Sequence, residues 1–161
     1  MALQLTLSTR LEVCVDEVWT QIRKPRLLGH VAFPLLRFVP IDPDRLPDEW
    51  SEGRYLVRMF ALGIVPVGAQ WVVISYESPA PTWCRTLRDD GSSKRIQRWE
   101  HTVTVCETEE GVCRYTDDLI VEAGRLTGVV YVLAWVFFRH RQRRLRALAK
   151  GKFRALSRSF Q

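Results

Sequence analysis

Between residues 53 and 122 the chain repeats one pattern. Stretches rich in β-branched and aromatic residues lie at about 53–62, 67–77, 83–89, 96–106 and 112–122. Turn-forming clusters separate them: Gly63 to Gly68 with Pro66, Ser78-Pro79-Ala80-Pro81, Asp89-Asp90-Gly91-Ser92-Ser93, and Glu107 to Gly111. At Arg125 the pattern stops. Leu126 to Leu148 contains no proline and has the length for about six turns of helix. Antiparallel strands at hairpin spacing followed by one long helix leave few solutions, and the simplest is an α+β domain with the helix packed on one sheet face.

The segment before residue 53 adds to this plan. Leu3, Leu5, Leu7, Leu11 and Val13 alternate with polar residues, which predicts a half-buried strand over 3–13. Asp16 is placed as the N-cap of a short helix carrying Val18, Trp19 and Ile22. Pro25 ends that helix and opens a second, Arg26 to Phe33. Leu36 to Ile41 reads as a strand and Asp42 to Ser51 as a loop. The 161 residues suit a single domain over 1–150, with 151–161 a basic extension of the last helix or a frayed tail.

Charge is divided unevenly. All 18 acidic residues lie at or before Glu122, whereas Arg139, Arg141, Arg143, Arg144, Arg146, Lys150, Lys152, Arg154 and Arg158 follow Phe138 with no acidic residue among them. The body is therefore not a basic nucleic-acid-binding surface, and no specific nucleic-acid partner is expected; the tail could touch an anionic membrane. Cys14, Cys84, Cys106 and Cys113 are too scattered for a disulfide framework and form no C-x-x-C pair. The N-terminus lacks a basic region ahead of an apolar run, so a cytoplasmic location, with or without peripheral membrane contact, is expected. Met59 to Tyr76 carries no charge, but Gly63, Pro66 and Gly68 at its centre predict a hairpin with an apolar tip rather than a membrane span.

Four local patterns then occur in order: Val15-Asp16-Glu17-Val18-Trp19 after the opening strand, Gly53-Arg54-Tyr55 at a strand start, Gly63-Ile64-Val65-Pro66-Val67-Gly68, and Arg114-Tyr115-Thr116-Asp117 before the final helix. Together they resemble the START-like, or SRPBCC, superfamily of helix-grip proteins, over essentially the whole chain. The resemblance implies a curved antiparallel sheet gripping a long C-terminal helix, with a cavity between them. The superfamily includes lipid carriers, polyketide cyclases and hormone and pollen-allergen-type binders, so it does not imply one activity.

If Cys106 faces Cys113's neighbour Val112 across the last hairpin, His101 lies directly opposite Asp117, Val103 opposite Tyr115 and Trp99 opposite Leu119. Odd positions here are mostly apolar and should face inward; Cys106 and Cys113 have opposite parity and should not bond to each other. His101 and Asp117 are the candidate catalytic pair, with Asp117 orienting His101 as a general acid or base. A self-satisfied buried pair that sets strand register explains the same residues and is the favoured alternative. No metal ligand set is expected, since His30 and His140 lie far off, and no cofactor is implied.

Candidate ligand-lining residues are Tyr55, Val57 and Met59 on one strand; Trp99, His101, Val103, Tyr115, Asp117 and Leu119 on the last hairpin; and Leu133 and Phe137 on the helix. Arg58, Gln70, Trp71, Arg88 and Arg98 could each place a polar group in the cavity, but on a sheet with one wet face solvent exposure is the simpler expectation. On the helix, Leu126, Val130, Leu133 and Phe137 are expected to face the sheet. That leaves Tyr131, Ala134, Trp135 and Phe138 outward, with Tyr131, Trp135 and Phe138 a candidate homodimer seam and lipid docking the alternative. Ile64, Val65 and Val67 at the hairpin tip either fold back onto this helix or flap over the cavity mouth.

Three functions fit these expectations: binding or carriage of a hydrophobic small molecule such as a lipid or polyketide, a cyclase or dehydratase using His101 and Asp117, or a non-catalytic interaction module with a filled interior. A continuous cavity of roughly several hundred Å³ separates the first two from the third.

Overall fold

The computed structural model describes residues 1–77, 83–93 and 96–157. Among the described residues, seven antiparallel strands form one curved sheet: β1 (Leu3–Leu11), β2 (Leu36–Asp42), β3 (Gly53–Ala61), β4 (Val65–Glu77), β5 (Cys84–Gly91), β6 (Arg98–Glu109) and β7 (Val112–Glu122). Their order across the sheet is β1-β7-β6-β5-β4-β3-β2. Between β1 and β2 lie the short helices α1 (Val15–Ile22) and α2 (Pro25–Ala32); after β7 come α3 (Thr127–Lys150) and one turn, α4 (Arg154–Ser157). This is the expected α+β helix-grip architecture, with α3 against β1 and β7 and beside α2. The Ser78 to Pro81 turn signal, Arg158 and Phe160 fall outside the described residues.

Local chemistry accounts for most boundaries. Pro25 occupies the first turn of α2, where its missing N–H costs nothing. Asp16 does not cap α1; Cys14 holds that position without a side-chain bond, and Asp16 sits in the first turn, where its charge suits the helix dipole. The β3–β4 turn needs left-handed backbone at Leu62 (φ 51°) and Gly63 (φ 75°). Its tip, Ile64 and Val65 included, remains exposed and does not fold back onto α3.

Three further expectations are corrected. First, β6 and β7 pair His101 with Leu119, Val103 with Asp117 and Trp99 with Val121, two residues away from the predicted register, because the strands run on to a tight turn at Glu110-Gly111 in place of the longer Glu107 to Gly111 loop, with a one-residue irregularity between Glu107 and Glu109. A slip of two preserves each side chain's face, so the inward set is unchanged. Second, Cys106 is bonded to Cys84, its directly paired neighbour on β5, while Cys113 is free and buried. Third, α3 is rotated from its expected setting. Thr127, Ala134, Phe138, Gln142, Leu145, Leu148 and Ala149 point inward, and Leu133 is 63% exposed. Phe138, at 1% exposure, therefore cannot form a dimer seam with Tyr131 and Trp135.

Two apolar clusters hold the domain. The larger joins Val18, Leu27 and Val31 of the short helices to Val57, Val105 and Tyr115 of the sheet and to Leu145 and Leu148 of α3. Past Lys150 the helix stops at Gly151, and Phe153 and Leu156 turn back into this same cluster. The smaller gathers Leu5, Leu119 and Val121 around Ala134 and Phe138.

Candidate functional site

A pocket of ≈ 180 Å³ opens between the sheet and the first half of α3. Its walls are apolar: Leu28 of α2, Leu36 and Phe38 of β2, Val57 and Met59 of β3, Val72 of β4, Trp99 of β6, and Val130, Leu133, Ala134, Phe137 and Phe138 of α3. Ile96, just before β6, completes the wall. Four polar side chains also reach it: Gln70, Asp89, His101 and Arg141.

Alternation on the strands sets which side chains point in. Val57 and Met59 share one face of β3, and Gln70 and Val72 share the inward face of β4, where Gln70 is 8% exposed rather than solvated as expected. Asp89 is paired directly with His101 across β5 and β6, so both face the pocket. The Asp89 to Ser93 segment is not simply a turn: β5 continues to Gly91, and Trp71 donates its N–H to the Ser92 carbonyl at 3.0 Å. Gly91 is required by close approach, because a Cβ there would lie 2.8 Å from Gln70 Nε2 and 2.9 Å from the Trp71 carbonyl oxygen.

Behind the pocket lies a buried polar network centred on Asp117. Its Oδ1 is 2.9 Å from His101 Nε2 and accepts the Tyr115 hydroxyl at 2.9 Å, while Oδ2 accepts the Gln142 amide at 3.0 Å. Gln142 also donates to the Leu7 carbonyl, tying α3 to β1. Arg141 Nη1 is 3.9 Å from Asp117 Oδ1, and its guanidinium lies over the Phe138 ring. The Phe138 ring is 4.7 Å from that of His101, which fixes the imidazole between helix and sheet.

Burial and neighbours set the charge states. Burial works against the Asp117 carboxylate, but the Arg141 charge and the bonds from His101 and Gln142 hold it below the usual carboxylate range. Burial lowers His101, aided by Arg141 and opposed by the bond to Asp117, so the imidazole is neutral near pH 7. Burial likewise raises Tyr115. Asp89 has less help: burial pushes it up to about 7, with only the Val73 N–H at 2.8 Å and the more distant Arg141 favouring its charge. A carboxyl that titrates near neutrality beside a neutral imidazole can exchange a proton with a bound molecule.

The candidate residues thus divide. Val57, Met59, Trp99, His101, Leu133 and Phe137 line the pocket. Tyr55 does not; it packs edge-on against Trp50 and bonds Ser51. Val103 and Leu119 are sealed in the core, and Tyr115 and Asp117 stand behind His101. Gln70 takes the cavity-facing of its two readings, and Asp89 and Arg141 were missed. Parity on β4 was the available signal for Gln70, and the seven-residue step from Ala134 for Arg141. His30 and His140 do not converge on the pocket: Arg144 bonds His30, and His140 Nε2 lies 2.9 Å from the Phe33 carbonyl. Among the described residues no cluster of three His, Cys, Asp or Glu side chains could hold a metal ion.

A sheet wrapped on a long helix, with a pocket between them, is the helix-grip fold. Solved structures share that fold. A START superfamily protein from Mycobacterium smegmatis superposes with a TM-score of 0.63 at 11% identity, covering 92% of this chain and 97% of that one. Truncated norcoclaurine synthase from Thalictrum flavum gives 0.64 at 10% identity, covering 92% and 93%. The same synthase in complex with dopamine and hydroxybenzaldehyde gives 0.62 at 11% identity, covering 94% and 88%. At such identities the likeness shows the fold alone. Residues 9–149 match the family described as Domain of unknown function (DUF8410), and the chain belongs to that family. No curated protein matches it.

Proposed function

We propose that this chain binds a small, mostly apolar molecule of about one substituted ring, its polar group directed at Asp89, His101 and Arg141. The pocket of ≈ 180 Å³ with its apolar wall carries this reading. An apolar cavity of about 150 Å³ holds a benzene, whereas drug-sized ligands occupy about 300–1,000 Å³. The volume therefore favours a ring-sized ligand over an enclosed acyl chain or multi-ring polyketide, narrower than the sequence alone suggests. At ≈ 180 Å³ it is smaller than the cavity of roughly several hundred Å³ that would set binding apart from a module with a filled interior, and it supports binding for a ring-sized ligand alone. The fold neighbour bound to dopamine and hydroxybenzaldehyde supports ligands of this size.

Asp89 supports a second reading, proton transfer on the bound molecule. It faces His101 directly and titrates near neutrality. In that reading Asp89 and His101 touch the substrate, and Asp117 positions His101 from behind.

Saturation-transfer NMR with phenol and toluene tests binding. Both should receive saturation, phenol more strongly because its hydroxyl meets the polar floor. Ala134→Phe, which fills the pocket from α3, should abolish transfer while circular dichroism stays unchanged. Absence of transfer to either probe would reject the reading, as would transfer unaffected by Ala134→Phe.

A further inference from the structure

The first half of α3 carries apolar side chains on both faces. Ala134 and Phe138 turn inward, yet Val129 is 58%, Val132 57% and Val136 45% exposed on the opposite side. A helix that is apolar all round is normally buried, and an exposed contiguous apolar patch marks a contact surface. At the helical repeat these valines lie on one line with Arg125 ahead of them and Arg139, Arg143, Arg146 and Lys150 behind, all exposed. No Asp or Glu occurs anywhere in α3. Leu62 and Ile64 at the β3–β4 turn are also 65% and 79% exposed, beside the exposed Phe33.

We propose that this face docks on the surface of an anionic lipid bilayer. The valine half enters the boundary between headgroups and acyl chains, and the basic half sits on headgroup phosphates. Charge decides between this occupant and a second copy of the chain. Pairing two such stripes in parallel sets Arg139, Arg143 and Arg146 against like charges, and pairing them antiparallel about Val132 sets Arg139 against Arg125, with no acidic residue on α3 to meet any of them. An anionic lipid surface complements every one of them. The helix lies flat, because among the described residues no helix is long and apolar enough to cross a membrane.

Flotation of the full chain with vesicles tests this. Phosphatidylcholine vesicles containing phosphatidylglycerol should carry the protein at low salt, and phosphatidylcholine alone should not. High salt should release it. Arg139→Gln with Arg143→Gln should weaken binding roughly 25-fold, about fivefold per charge. Val132→Ser with Val136→Ser should also reduce flotation while leaving thermal unfolding unchanged, since neither side chain is in the core. None of these four residues lines the pocket, so phenol binding should survive every variant. Failure to float on either vesicle, or equal flotation on both, overturns the proposal. So does a sedimenting dimer that Val132→Ser with Val136→Ser dissociates, which would make the face a self-association seam.

Discussion

The two halves of α3 meet the same sheet in different ways. Leu145, Leu148 and Ala149 in the second half join Phe153, Leu156, both short helices and the sheet in one large closed cluster. The first half commits Ala134 and Phe138 to a small cluster and leaves a pocket beside them. Between the two lies the polar layer of His101, Asp117, Arg141 and Gln142. Stability is thus concentrated at one end of the helix and an open site at the other. The polar layer belongs to both, since it anchors α3 and floors the pocket.

The largest effect should come from the layer itself. Asp117→Ala removes the acceptor for His101, Tyr115 and Gln142 and leaves Arg141 without its carboxylate; urea unfolding should show a loss of about 3–5 kcal/mol. A loss below about 1 kcal/mol would mean that the layer is not structural. Leu145→Ala, in the closed cluster, should cost about 2–5 kcal/mol by the same measurement.

Asp89→Asn sharpens the comparison through pH. The folded chain keeps the Asp89 proton up to about 7, whereas the unfolded chain releases it near 3.8, so stability falls as pH rises between those values. The asparagine variant lacks that loss. It should be more stable than the parent above pH 7, by an amount on the order of a few kcal/mol, and the two should converge near pH 4. Denaturant melts at both ends of this window would show the crossing, and equal stability throughout would place Asp89 in freely hydrated surroundings. The smallest effect belongs to the pocket mouth. Leu133→Ala should change unfolding free energy by less than about 0.5 kcal/mol, because Leu133 is 63% exposed; a core-like cost would show α3 rotated toward the setting predicted from sequence.

That setting shows where periodicity fails. From Val129 to Phe138 no side chain is charged, so nothing in this window distinguishes an inner from an outer face. The usable signal lay further along: stepping back from Leu145 and Gln142 by seven and four residues leads to Phe138. The acidic Asp89-Asp90 with Gly91 has turn composition, but pairing with Trp99 to His101 draws it into β5. The pocket carboxylate was hidden for that reason.

Local sequence therefore determined the number, order and type of the main elements and the inward face of β6 and β7, on which His101 and Asp117 both lie; their contact is made diagonally, in a register the sequence did not predict. These depend on alternation, on turn residues and on a proline-free run, all of which act over a few neighbours. Only tertiary structure decided the pairing of Cys84 with Cys106, the rotation of α3, and the meeting of Gln70, Asp89 and Arg141 at one pocket. Each depends on the relative placement of elements distant in the chain, where a one-residue bulge or a fraction of a helical turn changes the neighbours and leaves the local pattern untouched.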